Sequence, residues 1–156
     1  MSTLAEQIVN ALRERGQSLS VGESLTGGGL GAHITSVPRS SDVFRGGVIA
    51  YSADAKSRLL GVDATLIKEH GVVSEEVAIA MAHGAMAVFG STWALATTGV
   101  AGPGASDGVE AGSVWVAICG PVEQSIQLAL DGEREVVRNA TISSVLSAFS
   151  RILSTQ

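Results

Sequence analysis

Leu19-Ser20-Val21-Gly22-Glu23-Ser24-Leu25-Thr26-Gly27-Gly28-Gly29 is the stretch on which the reading of this chain turns. Leu19 to Val21 is strand-like, and the run from Leu30 to Thr35 is helix-like. Between them sits a strand-to-helix turn carrying two hydroxyls, a carboxylate and three consecutive glycines. A purely structural turn needs one or two glycines, and a longer run lets another group approach the backbone closely. The first free amides of the following helix are expected to point into the same space, where they favour negative charge. Such a turn can hold a nucleophile, Ser24, beside an anion or a developing oxyanion.

Working outward, Thr3 and Glu6 form a capping box, with Leu4, Ile8, Ala11 and Leu12 on one helix face and Gly16 as the stop. After the glycine turn and its helix, Pro38 to Ser41 reads as a loop, and Gly46 to Ser52 as a buried strand. Short helices follow at Ala53 to Leu60 and at Ala64 to His70, the second capped by Asp63. Ser74 caps a longer apolar helix, Glu75 to Phe89. Trp93 to Thr98 reads as a strand running into a glycine-rich loop, Gly99 to Gly112. Two further strands, Ser113 to Cys119 and Gln124 to Leu130, flank a hairpin signal at Gly120-Pro121-Val122-Glu123. A helix from about Glu133 to Leu153 turns Val137, Val145, Ala148, Phe149 and Ile152 inward. The alternation predicts an α/β protein: a three-layer α/β/α sandwich with a mixed, mostly parallel sheet and a late antiparallel hairpin. No repeat, low-complexity tract or linker divides it, so residues 1–156 read as one domain. Ligands in such sheets bind beyond the carboxyl ends of strands, and Ser24, Tyr51 and the Gly99 loop all follow strands.

Composition narrows the function classes. Hydrophobic residues make up 46% of the chain but aromatics only 4%, so the core is built mainly from Ala, Val, Leu and Ile. At this length a chain buries roughly 70% of its unfolded surface. The net charge of −5 argues against affinity resting on neutralised phosphate backbones, so no nucleic-acid partner is expected. The single cysteine, Cys119, excludes an intrachain disulfide and a cysteine-cluster metal site, and reads as an inert core thiol. No apolar run approaches the ~18 residues of a membrane span, and Met1 to Gly16 is amphipathic rather than a signal segment, so a cytoplasmic setting is expected.

Several motifs are absent, among them Gly-Lys-Ser/Thr and His-Glu-x-x-His. His33, His70 and His83 are scattered on helices, and His70 in a last turn suits the helix dipole better than a catalytic triad. Gly27-x-Gly29-x-x-Ala32 satisfies a dinucleotide-binding spacing, with Asp54 as the ribose acid, and competes for the same turn. Tyr51 ends a strand, and Lys56 lies in the first turns of the helix after it. The helix N-terminus and burial both lower a lysine pKa, and a neutral amine beside Ser24 is the general base a serine nucleophile requires. A solvated surface lysine is the alternative. The Gly99 loop either presents amides to a phosphate or sugar or is simply flexible. Arg134 and Arg138, four apart, share a helix face where a phosphate would bridge them; pairing with Glu133 and Glu135 is the alternative.

Taken in order, these segments resemble the CinA C-terminal domain family, whose characterised members are nicotinamide-mononucleotide amidohydrolases. Glu23-Ser24-Leu25-Thr26-Gly27-Gly28 is similar to the family's Glu-Ser-Cys-Thr-Gly-Gly. Gly47 to Ser52 with Lys56 resembles Gly-x-x-x-Tyr-Ser followed by Ala-Lys, and Thr98 to Pro103 resembles Ser/Thr-Gly-Ile-Ala-Gly-Pro. Gly112-Ser113-Val114-Trp115 and Gly132-Glu133-Arg134-x-x-Val137-Arg138 match two more family segments. Leu25 replaces the usual cysteine. The resemblance implies a stand-alone domain and hydrolysis of the carboxamide of nicotinamide mononucleotide, with Ser24 as nucleophile and Lys56 as base. Tyr51 would orient that pair, and amides near Thr26, Gly27 and Gly28 would receive the oxyanion. Thr98, Gly99, Ala101 and Gly102 would line the nucleotide pocket, and Arg134 and Arg138 would reach the phosphate. A side-chain nucleophile calls for no metal or cofactor. The expected partners are a small nucleotide and further copies of the chain, with no membrane. A binding module whose chemistry lapsed with Leu25 is the second reading.

Overall fold

Thr3 Oγ1 accepts the Glu6 amide at 3.1 Å while Glu6 Oε2 accepts the Thr3 amide at 3.2 Å, which is the expected capping box. It starts helix α1 (Leu4–Arg15), which ends at a left-handed Gly16. The computed structural model describes residues 2–156. The inward face of α1 is Ala5, Ile8, Val9 and Leu12; Leu4, expected there, lies at the exposed margin. Beyond it come β1 (Leu19–Glu23), α2 (Gly29–Thr35), a short 3-10 turn (Ser40–Asp42) and β2 (Phe44–Ile49). Helices α3 (Ala53–Leu60), α4 (Ala64–His70) and α5 (Glu75–Phe89) follow. The chain closes with β3 (Trp93–Gly99), β4 (Ser113–Cys119), β5 (Gln124–Ala129) and α6 (Arg134–Ser154).

The five strands form one mixed sheet in the order β2-β1-β3-β4-β5. β1 runs parallel to both β2 and β3, while the β4–β5 hairpin adds two antiparallel pairings. From β1 the chain steps outward to β2, then returns past β1 to β3, so the order reverses between β1 and β3. Helices diverging to opposite faces at such a reversal leave a crevice at the carboxyl ends of the two strands.

The sheet's two faces differ in size. Leu19, Val21, Trp93, Leu95, Val114, Val116 and Ile118 project toward α1, α2 and α6. The opposite face carries Ala94, Ala96, Ala117 and Cys119 against α3, α4 and α5. Small side chains let α5 lie close to the strands, and the contact is tight enough to demand glycine in two places. A Cβ on Gly22 would stand 3.3 Å from the Met81 carbonyl, and one on Gly84 only 1.9 Å from the Leu60 carbonyl. On the larger face Trp93 meets Phe149 edge-on with ring centroids 5.2 Å apart.

Gly46 to Ser52, expected as a buried strand, is instead an edge strand that begins at Phe44 and stops at Ile49. Only β1 pairs with it, so its side chains alternate between half-buried and exposed, and Ile49 is 54% exposed. No helix of the described residues is long and apolar enough to cross a membrane.

Gly84→Ala separates packing from propensity. Alanine in a helix interior is favoured over glycine by about 1 kcal/mol. Here its methyl would collide with the Leu60 carbonyl, and overpacking costs about 1–3 kcal/mol. Denaturant unfolding should show net destabilisation, and a variant as stable as the parent would refute the close α3–α5 contact.

Candidate active site

The glycine turn is built around Glu23. At the end of β1 its buried carboxylate accepts the amides of Gly28 (3.2 Å) and Leu30 (2.9 Å) on Oε1 and of Gly31 (3.0 Å) on Oε2. The start of α2, expected to hold an external anion, is thus satisfied from within the chain. This also removes the dinucleotide reading, because the place of a pyrophosphate is taken by Glu23. Asp54, its proposed ribose acid, pairs instead with Arg58 at 2.8 Å on the surface of α3.

Ser24 follows directly. Its amide donates to the Thr97 carbonyl at 3.0 Å, and the Thr26 and Thr97 hydroxyls meet at 2.8 Å, so the turn is pinned to the end of β3. Gly27 and Gly28 adopt positive φ angles of 57° and 97°, and the Gly27 amide donates to the Ser24 carbonyl at 3.0 Å. Leu25 is 3% exposed and packs into the larger core at the edge of the cavity that Ser24 lines.

Lys56 is 2% exposed. Its Nζ donates to Ser24 Oγ at 2.9 Å and to the Ala50 carbonyl at 3.0 Å. The Ala50 amide in turn donates to the Glu23 carbonyl at 2.8 Å, which ties the lysine's anchor to the nucleophile turn. Burial without a carboxylate partner lowers the Lys56 pKa from 10.5 to about 8. Ser52 caps α3 by accepting the Ala55 amide at 3.0 Å, which fixes the helix that carries the lysine.

Ser24 and Lys56 open on a cavity of about 590 Å³ at the carboxyl ends of β1 and β3, the reversal point of the sheet. Tyr51, Thr98, Gly99, Ala101, Gly102 and Arg134 also line it. Thr26, Gly27, Gly28 and Arg138 do not. Thr98 Oγ1 donates to the Val72 carbonyl at 2.7 Å, tying the β3 end to the α4–α5 connection. Tyr51, expected to orient the Ser24–Lys56 pair, is 60% exposed, and its hydroxyl accepts from Arg134 Nη2 at 2.7 Å. Arg134 Nη1 donates to the Gly102 carbonyl at 2.7 Å, so this arginine links the two walls of the cavity. Arg138 points away from the cavity to the turn itself, where Nε donates to the Leu25 carbonyl (3.0 Å) and Nη2 to the Thr26 carbonyl (3.1 Å). The two arginines therefore part, although their spacing places them on one helix face.

Sequence reasoning missed the capping role of Glu23, whose signal was a carboxylate six residues ahead of a helix that starts at Gly29. It also missed the wall formed by Ile67, His70, Val72 and Val73, which no local pattern marks.

Comparison with known proteins agrees with this fold. The family model described as the CinA C-terminal domain matches residues 1–153. A CinA-like protein of Prochlorococcus marinus is 40% identical over 155 residues, covering 97% of this chain and 36% of its own length. One from Synechocystis is 46% identical over 134 residues, covering 85% of this chain and 32% of its own length. The chain thus spans about a third of the curated relatives it matches. Among solved structures, a CinA superfamily protein from Klebsiella pneumoniae superposes with a TM-score of 0.94 at 30% identity, covering 98% of this chain and 97% of that one. The competence/damage-inducible protein CihA from Agrobacterium tumefaciens superposes with a TM-score of 0.91 at 32% identity, covering 99% of both. The chain belongs to the CinA C-terminal domain family.

Proposed function

We propose that this chain is an amidohydrolase that converts nicotinamide mononucleotide to nicotinic acid mononucleotide and ammonia. The observation that carries the reading is the 2.9 Å contact between Ser24 Oγ and a desolvated Lys56 amine on a nucleotide-sized cavity. The resemblance to characterised amidohydrolases supplies the substrate class.

In its neutral form Lys56 accepts the Ser24 proton as Oγ attacks the carboxamide carbon, and the carbonyl π pair moves to oxygen. The Leu25 amide finds no acceptor among the described residues and Leu25 lines the cavity, so it is the turn's free donor for that oxyanion. Gly27 and Gly28, expected in this role, have their amides engaged by Ser24 and Glu23. Collapse of the adduct breaks the C–N bond, and the Lys56 ammonium returns the proton to the leaving nitrogen. Water, giving a proton to Lys56, then attacks the Ser24 ester; the bond to Oγ breaks, Lys56 returns the proton to Oγ, and the acid is released. Arg134, at the cavity wall, meets the phosphate by exchanging its bond to Tyr51. The half-exposed Tyr51 ring offers a face to the pyridine.

Arg138 serves the turn. A trans peptide points its N–H opposite its C=O. Holding the Leu25 and Thr26 carbonyls therefore aims the Thr26 and Gly27 amides away from the guanidinium. Loss of Arg138 is expected to loosen the turn that carries Ser24 and the Leu25 amide and to leave phosphate affinity in place.

Three outcomes test this reading. Ser24→Ala should reduce ammonia release by about 10⁴-fold or more while retaining nucleotide binding by calorimetry; near-parental turnover would exclude the serine nucleophile. Arg138→Ala should lower kcat by roughly 10-fold or more with KM little changed. A raised KM at constant kcat would instead make it a phosphate ligand.

The lysine makes a linked prediction. Catalysis needs the neutral amine, so kcat/KM should rise about tenfold per pH unit up to about 8 and then level. Because the folded-state pKa lies below 10.5, the folded state binds this proton less tightly than the unfolded one. The penalty is full below pH 8 and is relieved as pH rises through 8 to 10.5. A shift of that size corresponds to about 3 kcal/mol. Lys56→Met should be inactive yet more stable at neutral pH by about 1–2 kcal/mol, after allowing for the Ala50 carbonyl left without its donor. A flat pH profile, or a destabilised Lys56→Met, would show the amine to be uncharged or structural.

A further inference from the structure

At the end of the sheet remote from the cavity, three side chains from three different elements converge. Cys119 is the last residue of β4, Glu123 closes the hairpin turn just before β5, and His83 lies on α5 above them. His83 Nε2 is 2.7 Å from Glu123 Oε1, and Cys119 Sγ is 3.6 Å from the same oxygen. The ligand atoms of all three lie within 4.8 Å of one another. We infer that His83, Cys119 and Glu123 form a binding site for a divalent transition-metal ion, with zinc as the best fit.

The donor set argues for the metal. The thiolate is a soft ligand and the imidazole a borderline one, and the pair, joined by one carboxylate, selects zinc over magnesium or calcium. Thiolate and carboxylate together carry two negative charges, which a divalent cation neutralises. Zinc–sulfur and zinc–oxygen bonds of about 2.3 and 2.0 Å in a tetrahedron put sulfur and oxygen about 3.5 Å apart, close to the separation present. The His83–Glu123 pair needs to open by roughly half an ångström to match the corresponding nitrogen–oxygen edge.

Geometry also supplies rigidity and access. Cys119 pairs with Ala94 at the end of the β3–β4 ladder and is fully buried. Gly120 is held at φ 157° where a Cβ would stand 2.6 Å from the Trp93 ring, so the turn leading to Glu123 has little freedom. Ser125 Oγ donates to Glu75 Oε2 at 2.7 Å, a second tie between β5 and α5. His83 and Glu123 are about half exposed, which leaves the fourth coordination position to water. The ion would clip α5 to the β4–β5 hairpin.

Binding exchanges protons for metal. The Cys119 thiol gives up its proton to solvent as sulfur coordinates, so affinity should rise with pH.

Cobalt(II) titration of the purified chain is the decisive experiment, because the chain has one cysteine and any sulfur-to-cobalt charge-transfer band must come from Cys119. The expected result is one cobalt per chain with that band, displaced by zinc, and a melting temperature raised by zinc. Cys119→Ser should abolish the band. His83→Ala, a surface change that leaves the core intact, should weaken binding at least tenfold, with ammonia release unaltered in the metal-free protein. Absence of the band at slightly alkaline pH, or a band of equal affinity in His83→Ala, would overturn the site.

Discussion

The carboxylate of Glu23 is the constraint on which the candidate site depends. It ends β1, neutralises the start of α2 through three amides, and through its own carbonyl receives the Ala50 amide. Ala50 in turn holds Lys56. One buried residue thereby sets the relative positions of the nucleophile turn, the helix after it and the strand end that anchors the amine. An acid placed there also carries an electrostatic consequence. The positive end of α2 is already balanced, so an incoming anion must find its partner elsewhere, and Arg134 is the arginine among the cavity-lining residues.

The unequal faces of the sheet explain an otherwise odd composition. A core poor in aromatics needs close approach to bury enough area, and the small face provides it by drawing α5 against Ala94, Ala96 and Ala117. The larger face, with Trp93 and Phe149 at its centre, fills the wider gap to α1 and α6. Tight packing on the α5 side also carries the α3–α4 segment over the carboxyl ends of the strands, which is how Lys56 comes to be buried. A lysine desolvated in this way opposes folding, and under the proposed mechanism it is also the base, which sets stability against activity at one atom.

The fold was largely legible in the chain. The capping box, the Asp63 and Ser74 caps, the hairpin at Gly120 and the inward stripe of the last helix are local signals, and each appears where the residues indicated. β2 was misjudged because an apolar run reads alike in a central and an edge strand, and only pairing tells them apart. The pairing of Ser24 with Lys56 was suggested by motif order, but its distance and the depth of the amine were not.

By itself the sequence determined the alternation of strands and helices, the caps that bound them and the short list of reactive side chains. Those depend on neighbours within a few residues. Tertiary structure alone decided which donors stay free. It gave Arg138 to the turn and Arg134 to the cavity wall, and it set the Tyr51 hydroxyl against Arg134. It also gathered His83, Cys119 and Glu123 from separate elements. Hydrogen-bond partners more than 20 residues apart follow from sheet order and helix placement, and no local spacing encodes them.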